Sequence, residues 1–306
     1  MIAGRRPARP VATLGARATA GCWIAIVTLA VTAASGCNVN GALEQLSEAR
    51  RIAAELLVQF TKAADAANRA VMADTDEASV AFAHEAEQTQ LTVQRDIDVL
   101  GPILQGLRYS DEARLLQAFV SQFAEYRALD RRILDLAVEN TNLKAQRLAF
   151  GPAQEAADSF RDALEAITPS APAKDLWRVK ALVATAVSTV REIQVLQAPH
   201  IADADEAVMT RMESHMATSA TAARSALETL ATLVQPASRP RLDVAASALD
   251  RFMGLNAEIV ALSRRNTNVR SLALSLDQKR MLTAACERSL RELQNALAKR
   301  GFTGTR

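Results

Sequence analysis

Apolar residues recur along this chain every three or four positions, which is the spacing of a helix that is buried along one side. One such stripe consists of Leu116, Phe119, Phe123, Tyr126, Leu129, Ile133, Leu136, Asn140 and Leu143. The stripe returns 126 residues later as Leu242, Ala245, Leu249, Phe252, Leu255, Ile259, Leu262, Asn266 and Val269. No segment alternates apolar and polar residues with the period of a strand. The pattern predicts an all-α chain.

Two polar motifs show that the chain carries two copies of one module. Residues 139–144 read ENTNLK, and residues 265–270 read RNTNVR, at an offset of 126. Residues 73–78 read ADTDEA, and residues 202–207 read ADADEA, at an offset of 129. The register therefore changes by only three residues across a copy, which predicts a tandem repeat.

Each copy is predicted to form an up-down four-helix bundle, the first over residues 41–168 and the second over residues 175–301. Thr75 is the predicted N-cap of the second helix, because two carboxylates follow it in the first turn. The proline-containing segment 168–172 interrupts the helical pattern and is the predicted boundary between the modules.

The first 37 residues differ from the rest of the chain and are predicted to be an export signal. They contain four arginines and no acid, followed by an apolar run of about 13 to 15 residues, which is short of the roughly 20 residues of a membrane-spanning helix. The run ends at Ala34-Ser35-Gly36-Cys37, which resembles a bacterial lipobox and implies lipidation of Cys37. Cleavage after a small residue and an uncleaved membrane anchor are the alternatives.

Charge and cysteine content limit the partners and the disulfide bonds that this protein can have. Removal of the four N-terminal arginines leaves 32 of the 36 basic residues against 34 acidic ones, so the exported chain is nearly neutral. No basic stripe with interleaved aromatic residues is present, so we expect no nucleic-acid partner. Cys286 is the one cysteine left in the body of the protein, and its place on an apolar stripe predicts a core residue without a disulfide.

The sequence also predicts neither a metal site nor catalysis. Met209, Met212, His215 and Met216 have the ligand types of a soft-metal site, but the methionines continue an apolar stripe and are better explained as core. Phosphate loops, nucleophile elbows, zinc motifs and haem-attachment motifs do not occur. We therefore expect a protein that is not an enzyme and carries no cofactor.

The repeated Asn-Thr-Asn segments are the candidate ligand-binding residues. Asn140 and Asn266 interrupt apolar stripes, and a buried amide needs hydrogen-bond partners that a ligand, a neighbouring helix or a turn can supply. Helix termination or fixing of the helix register is the alternative interpretation. The candidates are Asn140, Thr141, Asn142, Asn266, Thr267 and Asn268.

Each copy resembles the four-helix-bundle ligand-binding domain of methyl-accepting chemotaxis receptors. The resemblance rests on the ADTDEA motif, on Tyr126 and Phe252 in the third helices, and on the Asn-Thr-Asn segments before the fourth helices. These elements follow in the order of the family in both copies. The resemblance covers most of the chain after residue 37.

What the resemblance implies is a periplasmic sensory or ligand-binding protein held at the membrane by its N-terminus. The sequence shows no second span and no signalling hairpin, so we expect it to report a small-molecule ligand, or a periplasmic protein, through a partner. The alternative is a structural or scaffolding envelope lipoprotein that assembles through helix surfaces. A homodimer is compatible with both functions.

Overall fold

The structure is a computed structural model that describes the backbone of residues 22–300 and the side chains of residues 41–300. This part of the chain is all-helical, as predicted, and contains no strand. Within it, no helix is both long enough and apolar enough to span a membrane. The predicted export signal, including the predicted lipidation site Cys37, lies outside the residues whose side chains are described.

Ten α-helices follow one another within residues 22–300. Their bounds are α1 Cys22–Met72, α2 Asp76–Gly106, α3 Ser110–Glu139, α4 Thr141–Leu148, α5 Gln154–Glu165, α6 Leu176–Ala202, α7 Glu206–Leu233, α8 Arg239–Arg265, α9 Thr267–Leu274 and α10 Arg280–Lys299. Short 3₁₀ turns lie at Thr168–Ser170 and Pro236–Ser238, and π-turns at Ala149–Ala153 and Ser275–Lys279. The order of the α-helices and π-turns is the same in both copies, whereas the 3₁₀ turns lie at different places.

The second helix of each copy begins at a side-chain cap. The hydroxyl oxygen of Thr75 accepts a hydrogen bond from the backbone N–H of Ala78 at 3.1 Å, which confirms the predicted cap. In the second copy, a carboxylate oxygen of Asp205 accepts from the N–H groups of Ala207 and Val208. These acceptors satisfy N–H groups that have no partner within the helix.

The third helix of each copy ends at an asparagine in the left-handed conformation. Asn140 has φ 50° and ψ 39°, and Asn266 has φ 52° and ψ 39°. Asparagine is one of the few residues with a side chain that adopts this conformation readily. The next helix starts at the following residue, so the chain changes direction within a single residue.

The fourth helices are exchanged between the two copies. Leu290 of α10 lies in one core with Phe60 of α1 and Phe123 of α3, and α2 completes this first core. Phe160 of α5 lies in the other core with Phe252 of α8, and α6 and α7 complete this second core.

The packing therefore differs from the predicted division into residues 41–168 and 175–301. The copies have nearly the same apolar stripe, so either fourth helix offers an apolar face to either core, and sequence periodicity cannot choose between them. The two left-handed breaks direct α4 toward α8 and α9 toward α3.

Several predicted core positions are confirmed. Cys286, Met209 and Met216 are buried, Met212 is half-buried, and His215 is exposed. Burial raises the pKa of the Cys286 thiol to about 12, so the thiol stays protonated at neutral pH.

The exchange predicts an energetic coupling between α3 and the end of α10. Arg300 donates two hydrogen bonds to the carboxylate of Glu112, at 2.7 and 2.8 Å, and Glu112 is buried. A double-mutant cycle of Glu112→Gln and Arg300→Gln, measured by urea unfolding, should give a coupling free energy of about 1–3 kcal/mol.

Lys174 supplies the control for this cycle, because it lies 126 residues before Arg300, shortly after the end of the first copy's fourth helix. A cycle of Glu112→Gln with Lys174→Gln should give no coupling. Coupling of Glu112 to Lys174 rather than to Arg300 would mean that each copy keeps its own fourth helix.

Candidate functional site

The two Asn-Thr-Asn segments face each other where the fourth helices cross, and we call this contact the seam. The backbone N–H of Thr141 donates to the hydroxyl of Thr267, and the N–H of Thr267 donates to the hydroxyl of Thr141, both at 3.1 Å. Likewise, the N–H groups of Asn142 and Asn268 donate to each other's side-chain oxygens at 3.1 and 3.2 Å. Each copy thus caps the first turn of the other copy's fourth helix.

The asparagine side-chain amides extend the seam to the end of α6. The amide of Asn142 donates to the side-chain oxygen of Asn266 at 2.8 Å and to the carbonyl of Ile201 at 2.6 Å. The amide of Asn266 donates to the carbonyl of Asp203 at 2.7 Å. The amide of Asn268 donates to the side-chain oxygen of Asn140 at 2.8 Å, while the buried amide nitrogen of Asn140 has no partner among the described residues.

The structure therefore brings the six candidate residues together and satisfies most of their polar groups with one another. This geometry supports the role of the asparagines in helix termination, through the left-handed backbone, and in fixing the register of the fourth helices. Contact of these residues with a ligand stays a prediction.

The charged pair beside the seam shows that the copies have diverged to complement each other. Glu139 and Arg265 stand at equivalent positions, 126 residues apart, and their side chains form a salt bridge of 2.8 Å. Two identical copies would place like charges here, and like charges repel. The opposite charges favour contact between two different copies.

A buried histidine joins the seam region to α7. His200 is 1% exposed, with Nδ1 2.8 Å from the Ser263 hydroxyl and Nε2 2.8 Å from the Glu213 carboxylate. The Ser263 hydroxyl donates its one proton to the carbonyl of His200 at 2.7 Å, so Nδ1 must donate to that hydroxyl. An ionised carboxylate offers only acceptors, so both ring nitrogens of His200 lie beside a hydrogen-bond partner.

The same bonds show that this set does not present a nucleophile. Ser263 is fully buried, and its proton is bound to a carbonyl rather than offered to the histidine. Arg264 completes the network with hydrogen bonds to Glu213 at 2.6 and 3.0 Å. The hydrogen bond from Arg264 is the main cause of the lowered pKa of Glu213. Burial acts in the opposite direction and raises this pKa, while the hydrogen bond with His200 lowers it further.

The first core contains a buried ion pair at the π-turn of the exchanged helix. The ammonium of Lys279, which is 2% exposed, lies 2.7 Å from the carboxylate of Asp130, which is fully buried. The amide of Gln90 on α2 donates to the other carboxylate oxygen at 2.6 Å. Burial raises the pKa of Asp130, and the contacts with Lys279 and Gln90 partly offset this rise.

This ion pair selects the exchanged arrangement. The position of Lys279 corresponds to Ala153 in the first copy, and the position of Asp130 corresponds to Asn256 in the second. If each copy kept its own fourth helix, Asp130 would face an alanine, and a buried carboxylate without a cation is costly. The second core is neutral here, with Asn256 accepting a hydrogen bond from Gln197 at 2.9 Å.

The π-turns themselves have different origins in the two copies. Pro152 lies within Ala149–Ala153 and has no N–H for the helical hydrogen-bond pattern. Gln278 takes the equivalent place in Ser275–Lys279, so proline does not explain that turn. In the second copy, the turn ends at the buried Lys279, and π-turns within helices occur often at functional sites.

An open groove of about 460 Å³ lies beside the second π-turn, between the end of α1 and the start of α10. A volume of this size lies within the range of about 300–1,000 Å³ for small-molecule sites. The lining residues that matter for its chemistry are Val71, Ser275, Leu276, Lys279, Arg280 and Thr283. Lys279 belongs to both the groove and the buried ion pair. The groove therefore adjoins a row of polar contacts that runs from Lys279 to Asp130 on α3 and Gln90 on α2.

The second core has only a small cavity where α5 packs against α6. The cavity between α5 and α6 is about 10 Å³. Arg161 forms salt bridges with Asp158 and Asp162, and Gln154 is hydrogen-bonded to Gln194 at 2.8 Å.

Sequence reasoning missed the ion pair and the groove. A comparison of the two copies holds the signal, because Asp130 and Lys279 differ together from Asn256 and Ala153. A charged residue on the buried side of a stripe requires a partner, and the second copy shows that neither charge is needed for the fold. In the described part of the chain, no three His, Cys, Asp or Glu side chains lie close enough together to hold a metal ion.

The buried pair predicts a difference between single and double variants. Lys279→Ala should lower the free energy of unfolding by about 3–5 kcal/mol, because it leaves Asp130 buried without its cation. Asp130→Asn combined with Lys279→Ala copies the second core, and urea unfolding should show that it recovers at least half of this loss. A double variant that is less stable than Lys279→Ala would contradict the interpretation.

Glu213 predicts an acid-sensitive contribution to stability. Its pKa is lowered in the folded state, so its contribution is fully present above its unfolded pKa of about 4.3 and is lost as pH falls through the folded pKa. Glu213→Gln should cost about 2 kcal/mol at pH 7. In urea unfolding from pH 7 to pH 3, the difference from the parent should shrink toward the acid end.

Glu228→Gln, an exposed change on the same helix, is the control and should have little effect at any pH. A loss in Glu213→Gln that stays constant with pH would mean that packing, and not charge, carries the effect.

No protein-family model matches this chain. No curated protein and no solved structure matches it either. The geometry of its own residues carries what is proposed below.

Proposed function

We propose that this protein is an extracytoplasmic sensory or ligand-binding protein, tethered at its N-terminus, that binds a small molecule in the groove of the first core. The observation that carries this proposal is the groove itself, an opening of about 460 Å³ between the end of α1 and the start of α10. The export signal and the lipobox-like Cys37 support a location outside the cytoplasm.

The groove is placed where an occupant could alter helix packing. Lys279 lines the groove and reaches Asp130 on α3, which Gln90 on α2 also contacts. A ligand that contacts the groove in one arrangement of these helices more strongly than in another shifts the population between them. The start of α9, the helix that precedes the groove-lining π-turn in the chain, lies in the seam.

The seam supplies a route from this groove to the second core. The chain segment that lines the groove continues back through α9 to Thr267, whose first-turn N–H is capped by Thr141 of the first copy. Thr141 in turn starts α4, which packs against α8. A displacement of α9 would thus displace the start of α4. A partner protein would bind differently to the two arrangements of these helices.

A structural envelope role is the second candidate. Exposed apolar side chains at Met72, Leu276 and Met281 favour it, because they offer a surface to another protein. This role does not require that the groove be occupied by a small molecule.

Thermal unfolding of the purified full chain distinguishes these functions. In a panel of amino acids, organic acids, aromatic compounds and amines, a ligand of the groove at 100 times its Kd should stabilise the protein by about 2.7 kcal/mol. The Tm should then rise by several degrees. Ala284→Trp, which fills the groove, should abolish the rise, and Ala217→Trp on an exposed part of α7 should keep it.

Two results would count against the sensory function. One is the absence of a stabilising compound in the panel. The other is a rise in Tm that survives Ala284→Trp, which would move the binding site elsewhere. The first result favours the structural role.

A further inference from the structure

The two copies differ in how the end of their first helix meets the seam. In the second copy, the carbonyl of Ile201 accepts a hydrogen bond from the amide of Asn142 at 2.6 Å. The carbonyl of Asp203 accepts one from the amide of Asn266 at 2.7 Å. The last carbonyls of a helix have no partner within the helix, so the seam caps the end of α6.

The matching bonds are not formed at the end of α1. This helix ends at residue 72 and α6 at residue 202, so the carbonyls of Val71 and Ala73 are the counterparts of the two acceptors. Their donors would be Asn268 and Asn140, at the offset of 126. The amide of Asn268 donates to Asn140 instead, and the amide nitrogen of Asn140 is buried without a partner among the described residues, which is costly.

The groove lies where these bonds are missing. Val71 and Met72 line it from the end of α1, and Leu272 lines it from α9. Asn268 stands in the first turn of α9, one turn before Leu272. A bond from Asn268 to the carbonyl of Val71 would therefore draw the end of α1 toward α9 and narrow the groove.

Contacts one turn earlier confine such a movement to the last turn of α1. The hydroxyl of Ser79 on α2 lies 3.0 Å from the carbonyl of Ala70 and 3.1 Å from the carbonyl of Ala137 on α3. Ala70 is buried in this contact. After it, the exposed Arg147 lies 3.5 Å from the carbonyl of Asp74, which is a long contact that a small displacement can break.

We propose that the last turn of α1 closes onto the seam. In the closed state, the amide of Asn140 donates to the carbonyl of Ala73, and the amide of Asn268 donates to the carbonyl of Val71. A side-chain amide has two N–H groups, so Asn268 keeps its bond to Asn140, just as Asn142 makes two bonds in the second copy. The second copy thus shows the closed joint, and the first copy shows the open one.

Closing regulates access to the groove. An occupant that requires the open groove binds only the open state, so it shifts the population away from the closed state. This inference rests on the proposed ligand-binding function and names the regulation of its site.

Methyl NMR of the full chain, labelled with ¹³C at the methionine methyl groups, tests the inference. Met72 is 70% exposed in the groove wall, and Met216 is buried in the second core and serves as the internal reference. Loss of a signal in Met72→Leu identifies the Met72 methyl group. Relaxation dispersion should show exchange between two states at Met72, on the timescale of microseconds to milliseconds, and none at Met216.

Asn140→Asp removes the donor of the closed state. It keeps the oxygen that accepts from Asn268 and a residue type that adopts the left-handed conformation. The exchange at Met72 should be lost. Asn266→Asp is the matched control in the other copy, because its donor is already bonded to Asp203, and it should leave the exchange at Met72 in place.

A second pair of variants tests the closing movement without a change in the seam. Ala284→Trp fills the groove and should also abolish the exchange at Met72, because the end of α1 can no longer approach α9. Ala217→Trp on α7 should retain it. The absence of exchange at Met72 in the parent overturns the inference, as does an exchange that persists in both Asn140→Asp and Ala284→Trp.

These outcomes are distinct from those of the ligand panel. If a compound stabilises the parent but not Ala284→Trp, and Met72 shows a single state, the ligand-binding function stands and the closing movement is wrong. If the exchange is lost in both variants but no compound stabilises the parent, the closing movement stands and the ligand-binding function fails.

Discussion

Two asparagines in the left-handed conformation determine how the rest of the molecule is arranged. Asn140 and Asn266 end the third helices and start new helices one residue later, so each chain segment leaves its own copy at this point. The N–H groups at the start of α4 and α9 would lack partners there, and the threonine and asparagine side chains of the other copy supply them. The turn and the reciprocal caps therefore depend on each other.

The exchange makes the two cores interdependent. Each core contains three helices from one copy and the fourth helix from the other, so neither copy buries its apolar stripes alone. The Asp130–Lys279 pair specifies this arrangement, because Lys279 is absent from the fourth helix that the first copy would otherwise use. Buried charges contribute little net stability, but a mismatched partner is heavily penalised, so such pairs can select one packing over another.

The same residue connects specificity of folding with the proposed function. Lys279 lies at the end of a π-turn, in the wall of the groove and in the core at once. A group that contacts Lys279 in this wall is linked through that side chain to Asp130 on α3, and through Asp130 to Gln90 on α2. The fourth helix of the second copy thus supplies the cation of the ion pair and lines the groove, while Ala153 stands at the position of Lys279 in the first copy.

The sequence by itself determined the elements and their buried faces. The spacing of apolar residues predicted helices throughout and the burial of Cys286, Met209 and Met216, and the carboxylates after Thr75 predicted its cap. Helix periodicity and local caps are properties of neighbouring residues, so the sequence contains them. It also identified Asn140 and Asn266 as polar residues on apolar stripes that need partners.

Only the tertiary structure decided which helices share a core and which partners those asparagines find. Two copies with the same stripe are equally compatible with either assignment of the fourth helix. Periodicity shows which face of a helix is buried, but it does not show which other helix that face packs against. The Asp130–Lys279 pair joins residues about 150 positions apart in the chain, and the groove joins the end of α1 to the start of α10, about 200 positions apart. Such contacts follow from the left-handed turns and the seam, which set the path of the chain in space.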